Sequence, residues 1–243
     1  MDGITEIRAG VHLVHGSDTN WVILTEGDAV TLVDTGYPGD RDRLLASLAA
    51  VGRRPEDLAA ILITHAHADH LGSARYLGET HDVPVLMHPL EVPHARREML
   101  QQISPGTILA NSWRPGVLPW ALRVLRVGGL KDVSVPQAAK FPEPLDVPGR
   151  PVPVHTPGHT DGHCAYHLPE AGVLITGDAL ISAHPTSRTR GPQLLPRMFH
   201  HDWAGAVAAL DDLGGLDADV LLPGHGPAHH GSAAEAVERA RPA

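Results

Sequence analysis

The chain has 243 residues, of which 42% are apolar and 19% are charged, ordinary proportions for a globular protein. Its formal net charge is −9 and its basic residues are scattered, which argues against the basic stripe typical of nucleic-acid-binding proteins. No apolar run is long enough to span a bilayer. We therefore expect a small-molecule substrate, and neither a nucleic acid nor a membrane as a partner.

The cellular location is predicted from the cysteine content and the N-terminus. The single cysteine excludes an internal disulfide bond. The first residues lack the basic and apolar regions of a secretory signal. These features predict a cytoplasmic protein, and a homodimer is compatible with the sequence.

The first 90 residues alternate short apolar runs with helical stretches. Asp40 is a suitable N-cap for a helix that reaches about Val51. A second helix is predicted over Leu71–Glu79. The predicted strands are Val11–His15, Trp21–Thr25, Ala29–Val33, Ala60–Ile63 and Val83–Met87.

The segment from Glu91 to about Pro148 differs from its surroundings. It holds an amphipathic stretch, Val92–Ile103, followed by several prolines and glycines and by Trp113 and Trp120. It has few strand-like runs and is too short to form a core of its own. We predict an insertion or lid within a single domain that covers residues 1–243.

The second half repeats the alternation of the first. The predicted strands are Val152–His155, Cys164–His167, Val173–Ile175 and Val220–Leu222, and the predicted helices are Trp203–Leu213 and Ser232–Arg241. This order favours an α+β protein in which two sheets pack face to face with helices outside.

The most informative motif follows the strand predicted at 60–63. His65, His67, Asp69 and His70 lie within six residues, and an extended backbone points His65 and His67 the same way. Imidazole and carboxylate ligands suit a borderline cation such as Zn²⁺. A polar loop that caps the next helix needs only one such residue, so the sequence favours a metal site.

Three later turns share one pattern, in which a strand runs into a glycine that is adjacent to a histidine or aspartate. They contain His159, Asp178 and His225. Each alone is typical of an ordinary turn, because glycine lets the backbone bend sharply. Together with the first motif they indicate further ligands for the same site.

These residues in this order resemble the metallo-β-lactamase-fold superfamily. The similarity extends from the Asp34-Thr35-Gly36 turn to Gly226 and leaves residues 91–148 unassigned. It implies a four-layer αβ/βα sandwich of two facing mixed sheets. The family pattern is complete here as His65, His67, Asp69, His70, His159, Asp178 and His225.

The resemblance divides these ligands between two metal ions, expected to be Zn²⁺, with iron or manganese as alternatives. It implies that Asp178 lies between the ions and that Asp34 orients a ligand. The remaining ligands fall into two groups, His65, His67 and His159 for one ion and Asp69, His70 and His225 for the other.

Two such ions can lower the pKa of bound water and place a hydroxide beside a substrate carbonyl. Asp69 is then the predicted catalytic residue, orienting the nucleophile or carrying its proton. No serine or cysteine nucleophile is required, and Cys164 is interpreted as a small buried apolar residue. For His163 the sequence favours a structural role over ligation.

Comparison within the superfamily limits the range of possible substrates. Asp178 resembles the bridging ligand of glyoxalase II and of acyl-homoserine lactone lactonases, whereas true β-lactamases mostly lack it. The chain ends 18 residues after His225, without glyoxalase II's helical C-terminal domain, and Ile181 occupies the position of the lactonases' tyrosine. We expect hydrolysis of an ester, thioester, lactone or amide in a small molecule.

Substrate contacts are expected from Trp113 and Trp120 and from the loop after Asp178. That loop carries His184, Arg188 and Arg190. An arginine there can bind a carboxylate or phosphate, although a solvated surface role is equally compatible.

Two other functions fit parts of the pattern. A persulfide dioxygenase-like oxidoreductase would hold one iron with His65, His159 and Asp178. A metal-binding protein without turnover is the third alternative, but the complete ligand set argues against it.

Overall fold

The computed structural model describes residues 3–242, so the ends of the predicted 1–243 domain lie outside the described residues. The first sheet has seven strands, arranged side by side in chain order. They are β1 (Ile4–Arg8), β2 (Val11–His15), β3 (Asn20–Glu26), β4 (Ala29–Val33), β5 (Leu58–Leu62), β6 (Val85–Met87) and β7 (Ala139–Lys140). The strands β1 to β4 form an antiparallel meander, and β4 to β7 pair in parallel.

The second sheet has five strands in the spatial order β12-β11-β10-β9-β8. They are β8 (Val152–His155), β9 (Cys164–Leu168), β10 (Val173–Gly177), β11 (Val220–Pro223) and β12 (His229–His230). β10 and β11 are parallel and the other pairs are antiparallel. The strands β8, β10 and β11 therefore run in one direction and end at one edge.

The helices complete two outer layers and cover one edge. They are α1 (Arg41–Ala50), α2 (Ala68–Leu71), α3 (Ala74–His81), α4 (Val92–Ala95), α5 (Pro105–Ala110), α6 (Val117–Arg126), α7 (Trp203–Gly214) and α8 (Ala233–Ala240). Within residues 3–242, none of the helices has the length and apolar character that crossing a membrane requires.

Three apolar cores separate four layers. Ile23 packs with Leu48 of α1 in the first core, whereas its neighbour Leu24 packs with Tyr166 between the sheets. Neighbouring strand residues point to opposite faces, and both faces of these strands are covered, so the strands are almost wholly apolar. The third core joins the second sheet to α7, for example through Leu210. The predicted sandwich of two mixed sheets with helices outside is confirmed.

The predicted helix over Leu71–Glu79 is wrong in one respect, because the structure divides it into α2 and α3. A Cβ atom at Gly72 would overlap the backbone of the turn at residues 36–38. The Gly72 N–H donates to that turn at Gly36 O (2.9 Å), and the Ser73 N–H donates to Thr35 Oγ1 (3.1 Å). These contacts draw two N–H groups to the turn and interrupt the helix.

Asp40 precedes α1 as predicted, but its carboxylate does not cap the helix. It accepts hydrogen bonds from the Tyr37 N–H (3.1 Å) and from Ser17 Oγ (2.7 Å). The side chain therefore joins the turn before α1 to the loop between β2 and β3. Three strands escaped prediction, since β1 is mostly polar and β7 and β12 have two residues each.

Residues 91–148 contribute α4, α5, α6 and β7, and they are bound to two loops of the first sheet. The Gly39 N–H donates to Val127 O (2.9 Å), and Arg123 pairs with Asp18 (2.7 Å). The segment therefore lies over the edge at which the ligand-bearing loops meet.

Candidate metal centre

Four strands end at one edge of the two sheets, and the segment after each contributes to a single cluster of side chains. The loop after β5 supplies residues 65–70, and the turns after β8, β10 and β11 supply one residue each. The structure thus brings all seven predicted ligands together, namely His65, His67, Asp69, His70, His159, Asp178 and His225.

Three imidazole nitrogens converge at one end of the cluster. His65 Nε2, His67 Nδ1 and His159 Nε2 lie 3.0–3.2 Å from one another. Tetrahedral ligands at about 2.1 Å from one Zn²⁺ lie roughly 3.4 Å apart. The spacing fits a shared cation, and the three rings meet edge to face around it.

A second group lies beside the first. Asp69 Oδ2 is 3.7 Å from His70 Nε2 and 3.5 Å from His225 Nε2. Asp178 reaches both groups, since its Oδ2 lies 3.4 Å from His159 Nε2 and 3.1 Å from His225 Nε2, and its Oδ1 lies 3.5 Å from His70 Nε2. Asp178 therefore lies between the two groups.

Backbone carbonyls set the orientation of two ligand rings. His67 Nε2–H donates to Gln101 O (2.8 Å), and His225 Nδ1–H donates to Asp18 O (2.5 Å). A carbonyl only accepts, so the opposite nitrogen of each ring faces the cluster and carries the lone pair when the ring is neutral. Neither carbonyl was predicted, because any residue can supply a backbone oxygen.

Asp34 orients two further rings. Its Oδ2 accepts from His70 Nδ1–H (2.8 Å) and from the Thr64 hydroxyl (2.8 Å). Because the single hydroxyl proton of Thr64 is used there, Thr64 Oγ1 accepts from His65 Nδ1–H (3.1 Å). Both rings therefore direct Nε2 at the cluster, the arrangement that a metal ligand requires.

Among residues 3–242, three buried atoms of the cluster residues lack hydrogen-bond partners, namely His159 Nδ1, His70 Nε2 and Asp178 Oδ1. The last two face each other at 3.5 Å. Leaving buried polar atoms unpaired is costly, and each such case needs an explanation. A cation between His70 Nε2 and Asp178 Oδ1 satisfies both, and a set of nitrogen and oxygen donors without sulfur fits zinc, iron or manganese.

The charges of the two groups differ. Burial and the neighbouring histidines hold the pKa values of His65 and His159 well below the usual range. Burial also disfavours a charged His70, but Asp34 and the other carboxylates outweigh it and raise its pKa to about 10. A cation must therefore displace a proton from His70, whereas it meets neutral rings in the three-histidine group.

A buried carboxylate in residues 91–148 joins two ligand loops. Glu91 Oε1 accepts from the Ala66 N–H (2.7 Å) and from His94 Nδ1–H (2.8 Å), and Oε2 accepts from the Thr160 hydroxyl (2.8 Å). Ala66 lies between two predicted ligands, and Thr160 follows His159. Sequence reasoning missed this contact, since one glutamate in an amphipathic stretch carries no local pattern.

Glycine is required where backbone passes close to the cluster. A Cβ atom at Gly224 would clash with Asp178 Oδ1 and lie 2.8 Å from His70 Cε1. Gly158 has a φ of +126° and lies against the backbone of α7 at Ala206. Both positions therefore exclude a side chain and let the flanking ligands approach.

A narrow cavity of about 80 Å³, open to solvent, leads to the cluster. Its floor includes His67, Asp69, His159, Asp178 and His225. Its walls are mainly apolar, and no lysine or arginine of the described residues lines it. The wall side chains are Ile103, Ile108, Trp120, Val124, Leu130, Leu195 and Phe199, with Tyr37, Gln102 and His184 as polar neighbours.

The predicted substrate contacts are only partly present in this cavity. Trp120 and His184 line it, but Trp113 is 79% exposed and does not. Arg188 and Arg190 are exposed and also lie outside the lining, because their loop turns outward after His184.

His163 and Cys164 lie behind the centre. His163 Nε2 accepts from the backbone N–H of Asp178 (3.0 Å) and so positions that loop without joining the cluster. Burial raises the pKa of the Cys164 thiol to about 12, which makes it inert at neutral pH.

The fold and this cluster of histidines and aspartates define a metal-binding protein with the architecture of a metallo-hydrolase. A family model for the metallo-beta-lactamase superfamily matches residues 16–225. The chain belongs to that superfamily.

Relatives include probable metallo-hydrolases and hydroxyacylglutathione hydrolases. The chain is 28% identical to a probable metallo-hydrolase, YflN, of Bacillus subtilis over 93% of its length and 83% of the relative's. It is 31% identical to a hydroxyacylglutathione hydrolase of Anaeromyxobacter dehalogenans, covering 87% of this chain and 62% of that protein.

Two solved structures have a similar fold. A metallo-beta-lactamase family protein of Thermus thermophilus is 26% identical, with a TM-score of 0.67 over 96% of this chain and 79% of that chain. TTHA1623, solved in a di-iron-bound form, is 26% identical with a TM-score of 0.60, covering 95% of this chain and 97% of that chain.

Proposed function

We propose that this protein is a dinuclear metal-dependent hydrolase that cleaves a carbonyl ester, thioester, lactone or amide in a small molecule of the cytoplasm. The observation that carries the proposal is the pair of ligand groups that share Asp178 on the floor of an apolar cavity. The metal is expected to be zinc, and the chemistry of the donors also accepts iron or manganese.

We assign the seven side chains to two cations. His65, His67 and His159 would hold one cation, Asp69, His70 and His225 the other, and Asp178 would contact both. Two cations in such a site lower the pKa of water and stabilise negative charge on a carbonyl oxygen.

Asp69 and His184 are the polar groups best placed to act on a substrate. Asp69 lines the cavity and can accept the proton of the attacking water while it binds a cation. His184 Nδ1 lies 2.7 Å from the Thr186 hydroxyl and 3.3 Å from the Thr186 N–H. The N–H can only donate, so Nδ1 accepts, and Nε2 carries the proton that can be donated in a hydrogen bond to the substrate. These roles supply the proton acceptor and the donor that acyl hydrolysis uses.

The cavity lining favours a substrate with an uncharged, apolar acyl group. Its walls are aliphatic and aromatic, and no basic side chain of the described residues is present to bind a carboxylate. A glutathione thioester carries two carboxylates, which would remain without cationic partners here. We therefore propose that short apolar esters, thioesters or lactones are better substrates than a hydroxyacylglutathione.

The experiment is a hydrolysis assay on protein stripped of metal and then reloaded. We expect loss of p-nitrophenyl butyrate hydrolysis on chelation and recovery after two equivalents of zinc. Full activity of the metal-free protein would refute the proposal. One iron per chain with oxygen consumption on a persulfide would support the dioxygenase alternative, and two bound metals without hydrolysis of any ester, thioester or lactone would indicate binding without turnover.

A further inference from the structure

The outer face of residues 96–131 is unusually apolar for a protein surface. Eight of the ten large apolar side chains exposed in the described part of the chain lie between residues 99 and 130. Single exposed apolar residues are common, but so many within one short segment indicate an interaction surface. The group comprises Met99, Leu100, Leu109, Trp113, Leu118, Leu122, Leu125 and Leu130.

The helix α6 shows the pattern most clearly. Val117 and Trp120 point inward and are buried, whereas Leu118, Leu122 and Leu125 are about half exposed on the opposite side. These leucines are four and three residues apart, so they form one stripe along the helix. The stripe has no partner within residues 3–242.

The same segment is basic in an acidic protein. Residues 96–131 contain six arginines or lysines and one acidic residue, whereas the whole chain has a net charge of −9. Arg114, Arg126 and Lys131 are exposed and have no carboxylate partner among the described residues. Exposed leucines and a tryptophan are therefore interspersed with unpaired cations.

We propose that this face lies on a membrane surface that contains anionic lipids. The leucines and Trp113 would enter the boundary of the acyl chains, and the cations would contact the headgroup phosphates. The sequence predicted no membrane partner because no apolar run is long enough to span a bilayer. The helix α6 would not span the bilayer but would lie flat on its surface.

Other occupants fit the face less well. A second copy docked through the same face would bring the two sets of cations together. A nucleic acid would neutralise the cations but offer little to the exposed leucines. An anionic lipid surface offers phosphates to the cations and acyl chains to the exposed apolar side chains.

The face adjoins the cavity, which suggests that the substrate of the cavity comes from the membrane surface. Trp120 and Val124 of α6 and Leu130 line the cavity wall. An amphiphilic ester could therefore pass from the membrane surface to the metal centre. This last step rests on the proposed function, whereas membrane binding does not.

The test is sedimentation of the full, metal-loaded protein with vesicles. We expect binding to phosphatidylcholine vesicles that contain phosphatidylglycerol, weaker binding to phosphatidylcholine alone, and release by salt. The double substitution Leu118→Asp and Leu122→Asp should weaken binding at least about tenfold. Leu90→Asp, at a similarly exposed leucine outside residues 96–131, should not change it.

Unchanged melting temperature and metal content of the variants would show that the fold is intact. Two outcomes would overturn the proposal. One is that equal amounts of protein sediment with vesicles that contain phosphatidylglycerol and with vesicles of phosphatidylcholine alone. The other is a dimer, detected by light scattering, that the double substitution dissociates, which would make the face a contact between copies. Neither outcome depends on hydrolytic activity.

Discussion

At the scale of single residues, the centre depends on the hydrogen bonds that fix which nitrogen faces the cluster in four of the five imidazoles. Asp34 has a central role, since it binds His70 directly and His65 through Thr64. Its backbone has a φ of +63°, a conformation that aspartate tolerates better than most residues. Asp34 thus adopts a left-handed backbone conformation, which is uncommon for residues other than glycine, at the position from which it orients two predicted ligands.

The substitution Asp34→Asn should weaken metal binding about 10- to 100-fold, because one of the two acceptor oxygens becomes an NH2 group. Either the Thr64 N–H or the pair formed by His70 Nδ1–H and the Thr64 hydroxyl then faces a donor instead of an acceptor. Titration against a competing chelator measures the affinity. Asp42→Asn, at an exposed position of α1, is the matched control. Equal affinities for the two variants would contradict the role assigned to Asp34.

His184→Phe should keep the ring and the metals but lower kcat by about tenfold or more, since the donor into the cavity is lost. Steady-state hydrolysis of an apolar ester and metal analysis of the same sample provide the measurement. His230→Phe, on exposed β12, should match the unmodified protein. An unchanged kcat in His184→Phe would remove His184 from the reaction.

At the scale of elements, the contact between residues 91–148 and the ligand loops is a buried carboxylate. Burial disfavours the charged form of Glu91, but His94 and the other hydrogen-bond donors outweigh it and lower its pKa. A lowered pKa means that the carboxylate stabilises the fold above its unfolded-state pKa. That stabilisation is lost as the pH falls through the folded-state value.

Glu91→Gln should therefore reduce the free energy of unfolding by about 1–3 kcal/mol at pH 7, because one buried acceptor becomes a donor. The difference from the unmodified protein should shrink as the pH falls below the pKa of Glu91. Urea unfolding in the presence of a chelator measures both effects. Glu79→Gln, in an exposed pair with Arg75, serves as control, and a difference that grows at low pH would contradict the argument.

The turn after β11 gives a second element-scale prediction. Gly224→Ala places a methyl group against Asp178 and His70, so the ligands must separate and metal affinity should fall at least tenfold. Gly215→Ala, where the nearest atom to the new methyl group is 4.0 Å away, should bind metal normally. Metal content after dialysis distinguishes the two outcomes.

At the scale of the whole molecule, the sequence predicted the sandwich because both faces of its long strands are buried and thus read as apolar runs. It could also predict which side chains would meet, since His65, His67, Asp69 and His70 lie in one loop and each later residue follows a glycine turn. Their assignment as ligands stays a prediction, as does the homodimer.

The contacts made by residues 91–148 could not be predicted in this way. The carbonyl of Gln101, the carboxylate of Glu91 and the break in the helix after Leu71 depend on which distant backbone lies alongside. No local sequence pattern shows which distant segment of backbone will lie beside a given residue. The same reason explains why Trp113 was expected in the cavity and is found on the outer surface.

The most direct test of the account is anomalous diffraction from crystals of the zinc-loaded protein. We predict two peaks per chain, one among His65, His67 and His159 and one among Asp69, His70 and His225, with Asp178 beside both. A single peak, or none within this cluster, would contradict the central claim.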